Sequence, residues 1–137
     1  MSYGVSSALQ AAIYQHLVND VTLTALIGGA IYDALPPGTL PATYVTLGPE
    51  DVRPGSDNSG VGAWHRVIIS VVTDGAGFQA AKDVAAAISD ALQDANLTLT
   101  RGRLTGLHFY RARARREGTG NLRRIDLTFR ARVDDSI

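Results

Sequence analysis

Few side chains in this 137-residue sequence are suited to chemistry. There is no cysteine, which excludes thiolate nucleophiles, disulfide frameworks and cysteine-based zinc sites. The only histidines are His16, His65 and His108, and no two of them stand at a metal-binding spacing such as H-x3-H. We therefore predict that the chain holds no metal ion.

Motifs typical of enzymes are also missing from the sequence. The neighbouring carboxylates at positions 50–51 and 134–135 fall in a predicted loop and in the C-terminal tail, so nothing indicates a held pair for acid/base chemistry. The glycines at 60–62 precede a predicted strand, whereas a dinucleotide-binding glycine loop follows a strand and opens a helix. No G-x-S-x-G elbow, P-loop or H-E-x-x-H motif occurs. We therefore expect no enzymatic activity and no cofactor.

Charge is distributed unevenly along a chain whose formal net charge is zero. Positions 1–100 carry nine acidic and three basic side chains, whereas positions 101–132 carry ten arginines and two acidic side chains. This segregation indicates an anionic partner, or pairing with the acidic part of the same or a neighbouring chain. Arginine also suits packed polar interfaces because it forms bidentate contacts, although a GC-rich genome would give the same preference for arginine.

The hydrophobic pattern predicts three helices and several strands. Apolar spacing predicts a helix over 8–19, opened by a capping box formed by Ser7 and Gln10, and Thr22 is expected to cap a short helix ending at Leu26. The strongest amphipathic pattern predicts a helix over 78–94. Strands are predicted over 42–47, 64–73, 104–114 and 122–133, with a further short strand over 97–100.

This order of elements predicts one domain over residues 1–137 with an α+β fold. We expect a mostly antiparallel β-sheet packed against two main helices on one face. The segment 48–62 is predicted to be a long loop, and 115–121 a hairpin loop, and loops of the first length are usually functional or disordered. No apolar run is long enough to cross a membrane, so no membrane partner is expected.

The arginine-rich hairpin is the most distinctive feature of the sequence. Simple alternation places Arg111, Arg113 and Arg115 on the strand face that also carries Leu107 and Phe109. A core-facing row that becomes charged indicates a hairpin that projects beyond the core and contacts a partner. The alternative is a solvated face whose arginines pair across strands.

The predicted helix over 78–94 provides a second argument for a partner. Asp90 and Asp94 would stand four residues apart near its negative end, where like charges are unfavourable. Arginines of the hairpin, in the same chain or the next subunit, would offset this repulsion.

The succession of segments resembles a known family. The most specific part is Leu-Ile-Gly-Gly-Ala-Ile-Tyr-Asp over 26–33 followed by Tyr-Val-Thr-Leu-Gly over 44–48, and the chain closes on Leu-Thr-Phe-Arg-Ala-Arg-Val over 127–133. With the strand around His65-Arg66 and the alanine-rich helix, this resembles the tail-completion, or tail-terminator, family of long-tailed phages, prophages and gene-transfer agents.

The resemblance implies a non-enzymatic structural protein assembled in the bacterial cytoplasm. Such a protein would form a homo-hexameric ring on the head-proximal end of the tail tube, stop tube growth and join the tail to neck proteins at the head–tail junction. DNA would pass through its channel without sequence-specific binding.

Charge and predicted loop length select the residues expected to contact neighbouring subunits or the tube. They are Arg111, Arg113, Arg115, Arg116, Arg123, Arg124, Glu50, Asp51, Arg53 and Asp57. Two alternatives stay open: a small nucleic-acid-binding domain that uses the same arginines, and a neck or tail-tube subunit of related fold.

Overall fold

The computed structural model describes residues 3–55, 62–75, 77–118 and 120–135. Its elements, in chain order, are α1 (Ser6–Val18), α2 (Val21–Ile27), β1 (Ile31–Tyr32), β2 (Thr43–Pro54), β3 (Gly62–Thr73), α3 (Gln79–Leu92), β4 (Arg103–Arg116) and β5 (Arg123–Asp134). The strands form one sheet in the order β1-β2-β3-β5-β4. Only the β1–β2 pair is parallel, so the predicted α+β fold with a mostly antiparallel sheet is confirmed.

The helices pack on one face of this sheet, and the main core lies between them and the strands. On β5 every second side chain from Ile125 to Val133 is buried, which is the period-two pattern of a half-buried strand. Helix α3 supplies fully buried Ile88 and Leu92, and α1 supplies Leu9. Within the described ranges, no helix is long and apolar enough to cross a membrane.

The opposite side of the sheet, which we call the outer face, is polar and aromatic. Cross-strand register places the outward-facing side chains of β3, β4 and β5 there. The side chains that matter below are Trp64, Arg66, Ser70, Tyr110, Arg111, Arg113, Arg115, Arg124, Asp126, Thr128, Arg130 and Arg132.

The predicted loop over 48–62 is wrong in its first half, because β2 continues through residues 48–54, and residues 56–61 lie outside the described part of the chain. Its register shifts between Leu47 and Glu50, so Gly48 and Pro49 form a bulge and pairing with β3 resumes as far as Pro54. A bulge takes proline out of the ladder, where its missing N–H would break a hydrogen bond, and Gly48 adopts φ 140°. Glu50 and the residues up to position 54 therefore lie on a strand.

A second bulge corrects the predicted face of the hairpin arginines. Phe109 pairs with Phe129, and the next pair is Arg111 with Thr128, so Tyr110 is an extra residue. Beyond this bulge, the arginines at 111, 113 and 115 face the outer side, opposite to Phe109. Ala112 and Ala114 take the helix side instead.

The helix starts also differ from the predicted caps. Val5 is the N-cap of α1 and gives no side-chain hydrogen bond, so the predicted Ser7 capping box is wrong. Helix α2 is capped by Asp20, whose carboxylate accepts a hydrogen bond from the backbone N–H of Leu23 at 2.9 Å, instead of by Thr22. Asp20 is itself a favourable N-cap residue, and it stands two positions earlier.

Helix α3 ends at Leu92, so the expected repulsion within it between Asp90 and Asp94 does not arise. Asp94 lies beyond the helix with φ 57°, and its carboxylate is 3.2 Å from Nδ1 of His108. The segment 97–100 is irregular, and the strand predicted there is wrong. Strand β4 extends to Arg116, so the connection to β5 covers 117–122 instead of 115–121.

Candidate assembly interface

The outer face carries arginines stacked on aromatic rings. The guanidinium carbon of Arg130 lies 4.4 Å from the ring centroid of Trp64 and 5.6 Å from that of Tyr110. Arg66 lies 4.5 Å from the Tyr110 centroid. Each such contact contributes about 0.5–1 kcal/mol at an exposed site. The centre of the outer face is therefore an ordered arginine–aromatic layer.

A carboxylate next to this layer holds two of the predicted arginines. Asp126 accepts hydrogen bonds from Ser70 Oγ at 2.6 Å and from Arg124 Nε at 2.9 Å, and its other oxygen is 3.4 Å from Arg115. Burial disfavours ionisation of Asp126, but the hydrogen bonds from Ser70 and Arg124 and the charges of Arg124 and Arg115 outweigh it and lower its pKa. These contacts stabilise the fold of the single chain.

The same cluster keeps Arg124 charged. Burial opposes its charged form, but the hydrogen bond and charge of Asp126, together with Glu117 at 3.4 Å, raise its pKa above the ordinary value. Arg123 is also engaged within the chain, since its guanidinium donates to the backbone carbonyls of Gly75 at 3.0 Å and Asn121 at 3.2 Å. Three of the six predicted arginines are thus used internally, by Asp126, Glu117 and backbone groups.

The other three arginines, Arg111, Arg113 and Arg116, are exposed on β4. Among the residues that the structure describes, their side chains have no ion pair, hydrogen bond or ring contact. β4 is the last strand of the sheet, so these cations lie along a free edge. They are the members of the predicted set that remain available to a partner.

The predicted acidic contact residues likewise include one that is used within the fold and one that is exposed. Glu50 is largely buried and accepts hydrogen bonds from Ser6 Oγ at 2.6 and 2.8 Å, with His65 Nδ1 at 3.8 Å. Asp51 is exposed and 3.4 Å from Arg53. Asp57 lies outside the described residues. Glu50 is therefore part of an internal polar network. This role follows from its burial in the fold and could not be inferred from its position in the sequence.

One depression on the outer face brings some of the predicted residues together. It has a volume of about 400 Å³, and its lining includes Asp51, Arg66, Tyr110, Arg111 and Arg113. The bulges in β2 and β4 bring Asp51, Arg111 and Arg113 to the face of the sheet that carries Arg66. The depression mixes acidic and basic groups, which suits contact with a protein surface better than a purely basic site would.

Sequence reasoning missed a concave surface that lies apart from the predicted arginines. An open groove of about 940 Å³ lies between α1, β1 and the bulge of β2, and its walls include Tyr3, Tyr14, Tyr32, Asp33 and Leu47. The signal was present in the Ile-Tyr-Asp stretch at 31–33, which the family resemblance had already singled out. Across the described ranges, no cluster of three or more metal-ligating side chains occurs.

Comparison with known proteins identifies the family. The model of the family described as "Tail completion protein gp17" matches residues 11–134. The chain belongs to this family. The predicted resemblance to tail-completion proteins is confirmed, and membership of this family indicates a structural role in tails in place of an enzymatic one.

This tail completion protein is also similar to a chain in a solved structure. A chain in the structure described as "Virion of native gene transfer agent (GTA) particle" is 61% identical, and the match covers 97% of this chain and 99% of that chain with a TM-score of 0.93. The search of curated proteins gives no match. The family match runs from the middle of α1 to the end of β5, so it includes the whole sheet and its free β4 edge.

Proposed function

We propose that the protein forms a homo-hexameric ring that caps the head-proximal end of a tail tube, stops its growth and joins the tail to the capsid neck. The observation that carries this proposal is the likeness, over nearly the whole chain, to a chain of a gene transfer agent virion. Membership of the tail completion family supports the same position, at the junction of head and tail.

The free edge of the sheet supports assembly into a larger structure. Strand β4 exposes Phe109, whose accessible fraction is 43%, beside Ala112 and Ala114 on its helix side. Its outer side carries the unpaired Arg111 and Arg113. An exposed strand edge with an apolar row and a charged row is favourable for contact with another protein.

The remaining surfaces suit the other partners of such a ring. The outer-face depression with Asp51, Arg111 and Arg113 offers mixed charge to the tube protein or to a neck protein. DNA would pass through the ring without base-specific contact, because the described outer face presents arginines without an element shaped for a DNA groove. Assembly would take place in the bacterial cytoplasm.

Electron microscopy of particles produced without this chain tests the proposal. We expect tubes of abnormal, scattered length that fail to join heads, and we expect the wild-type chain supplied in trans to restore both features. Tails of normal length attached to heads would contradict the proposal. Complete loss of tubes would instead indicate a tail-tube subunit.

A nucleic-acid-binding domain is the second candidate, favoured by the guanidinium groups of Arg111, Arg113 and Arg116, which have no partner in the part of the chain that the structure describes. Tyr110 is less suited to stacking on a base, because Arg66 and Arg130 already contact its ring. Duplex affinity of the purified chain separates the two candidates. Affinity that falls steeply with salt and is lost in Arg113→Gln would favour nucleic acid.

A further inference from the structure

We propose that the groove beside β1 receives the β4 edge of the next copy of this chain. The proposal rests on the proposed ring and specifies how its subunits join. The groove is called the tyrosine groove here, and it is lined by Tyr3, Tyr14, Tyr32 and Asp33 together with apolar side chains such as Leu47.

The tyrosine groove contains the kinds of side chain that bind arginine. Tyr3 is 60% exposed, and the groove walls present two further tyrosine rings. The exposed carboxylate of Asp33 accepts a hydrogen bond from Gln10 Nε2 at 2.8 Å, and no cation pairs with it among the described residues. Carboxylates and aromatic faces are the two groups that bind guanidinium most favourably.

The β4 edge carries cationic and apolar side chains that complement the groove. Arg111 and Arg113 project on one side with no partner among the described residues, and the opposite side exposes Phe109, Ala112 and Ala114. The apolar row would pack on the aliphatic walls of the groove, and the guanidinium groups would reach Asp33 and the tyrosines. An apolar row of this kind favours a protein occupant over nucleic acid.

The two surfaces lie at opposite ends of the strand order β1-β2-β3-β5-β4. Neighbouring strands are about 4.8 Å apart, so β1 and β4 of one chain are separated by roughly 19 Å and do not meet. Each copy can therefore use its β4 edge on one neighbour and its tyrosine groove on the other. Such head-to-tail contacts close into a ring when the rotation between copies is suitable.

Disulfide cross-linking tests this arrangement cleanly, because the chain has no cysteine of its own. Ala34→Cys places a thiol in the groove wall, and Ala112→Cys places one on the β4 edge. Particles are produced with the double variant as their sole copy of the chain, then oxidised and analysed on a non-reducing gel. We expect a ladder of cross-linked species that ends at the hexamer.

One control and one alternative groove pair make the result specific. Particles with Thr98→Cys combined with Ala112→Cys carry one thiol at the exposed position 98, outside the groove, and we expect at least ten-fold less cross-linking. A second pair, Ala11→Cys in the groove wall with Ala114→Cys on β4, covers the case in which the first variant assembles poorly. If particles form and neither groove pair cross-links above the control, the groove proposal is overturned.

Charge exchange provides an independent readout. We expect Asp33→Arg and Arg113→Asp each to reduce the yield of intact particles at least ten-fold, and the combined variant to recover most of it. If circular dichroism shows that the variants are folded and the combined variant still does not recover the particle yield, the proposed contact is contradicted.

Native mass spectrometry of the wild-type assembly distinguishes failure of the groove proposal from failure of the proposed function. A hexamer without groove cross-links overturns only the groove proposal. The absence of a ring from every particle overturns the proposed function.

Discussion

Phe109 and Arg111 stand two residues apart on β4, yet their side chains lie on opposite faces of the sheet. In a regular strand they would share a face, but the extra residue Tyr110 shifts the register between them. Phe109 contacts Phe129 edge-on, with 6.0 Å between ring centroids, and Arg111 pairs with Thr128 on the outer face. The bulge thereby gives the free edge of the sheet one apolar row and one cationic row.

The division of the arginines into internal and available groups predicts unequal losses of stability when they are substituted. Arg124→Gln removes the partner of Asp126 and Glu117, and we expect it to lower the free energy of unfolding by about 1–3 kcal/mol. Arg113→Gln removes an exposed, unpaired charge and should change it by less than about 0.5 kcal/mol. Urea denaturation of both variants measures the difference. Equal losses would contradict the division.

The lowered pKa of Asp126 predicts a dependence of stability on pH. A carboxyl group whose pKa is lowered by folding stabilises the protein above its ordinary pKa of 3.8, and this contribution is lost as pH falls through the folded value. We expect Asp126→Asn to cost about 1–2 kcal/mol at pH 7, an amount reduced by partial exposure of the pair. The cost should shrink as pH falls below 3.8.

Asp90→Asn is the matched control for this experiment, because Asp90 is exposed on α3 and has no ion pair among the described residues. We expect its free energy of unfolding to stay within about 0.5 kcal/mol of the parent protein. Thermal unfolding monitored from pH 3 to pH 8 gives both curves. A cost of Asp126→Asn that is constant over this range would refute the proposed role of its charge.

Glu50 is predicted to act within the fold and Asp51 at the surface, although they are adjacent in sequence. Glu50→Ala leaves the Ser6 hydroxyl and the buried His65 without their carboxylate, so we expect a loss of about 1–3 kcal/mol. Asp51→Ala breaks only an exposed pair with Arg53 and should cost less than about 1 kcal/mol. Calorimetry on the two variants is the measurement, and the reverse order would disprove the assignment.

Trp64 is the only tryptophan in the chain, so its fluorescence reports on the outer face. Arg130 and Arg132 lie 4.4 and 5.6 Å from its ring centroid. We expect Trp64→Leu to destabilise the protein about 0.5–1 kcal/mol more than Trp64→Phe, since phenylalanine keeps an aromatic face. Urea titration followed by circular dichroism measures both variants, and equal stability would show that the stacking contributes nothing.

Much of the fold was predictable because the strongest elements have regular patterns. The spacing of apolar residues between Phe78 and Leu92 defined the third helix, and the alternation from Ile125 to Val133 defined the interior strand β5. These patterns follow from burial on one side of each element. Family membership was predictable from the succession of segments around Gly28-Gly29 and Tyr32-Asp33.

Neither the bulge at Gly48-Pro49 nor the bulge at Tyr110 was predictable from local pattern. Gly48-Pro49 has the composition of a turn, and only its partner strand shows that the ladder resumes at Glu50. Nothing in the sequence marks Tyr110 as an extra residue, so simple alternation assigned the arginines to the wrong face. The split between paired and unpaired arginines also depends on this register, and so it required the tertiary structure.

Addition of the purified chain to tail tubes growing from purified tube protein tests the proposed function most directly. Negative-stain electron microscopy would record where the chain binds and how long the tubes become. We predict a ring at one end of each tube and no further elongation when more tube protein is supplied. Tubes that keep growing, or chain bound along their sides, would contradict a role in ending the tail tube.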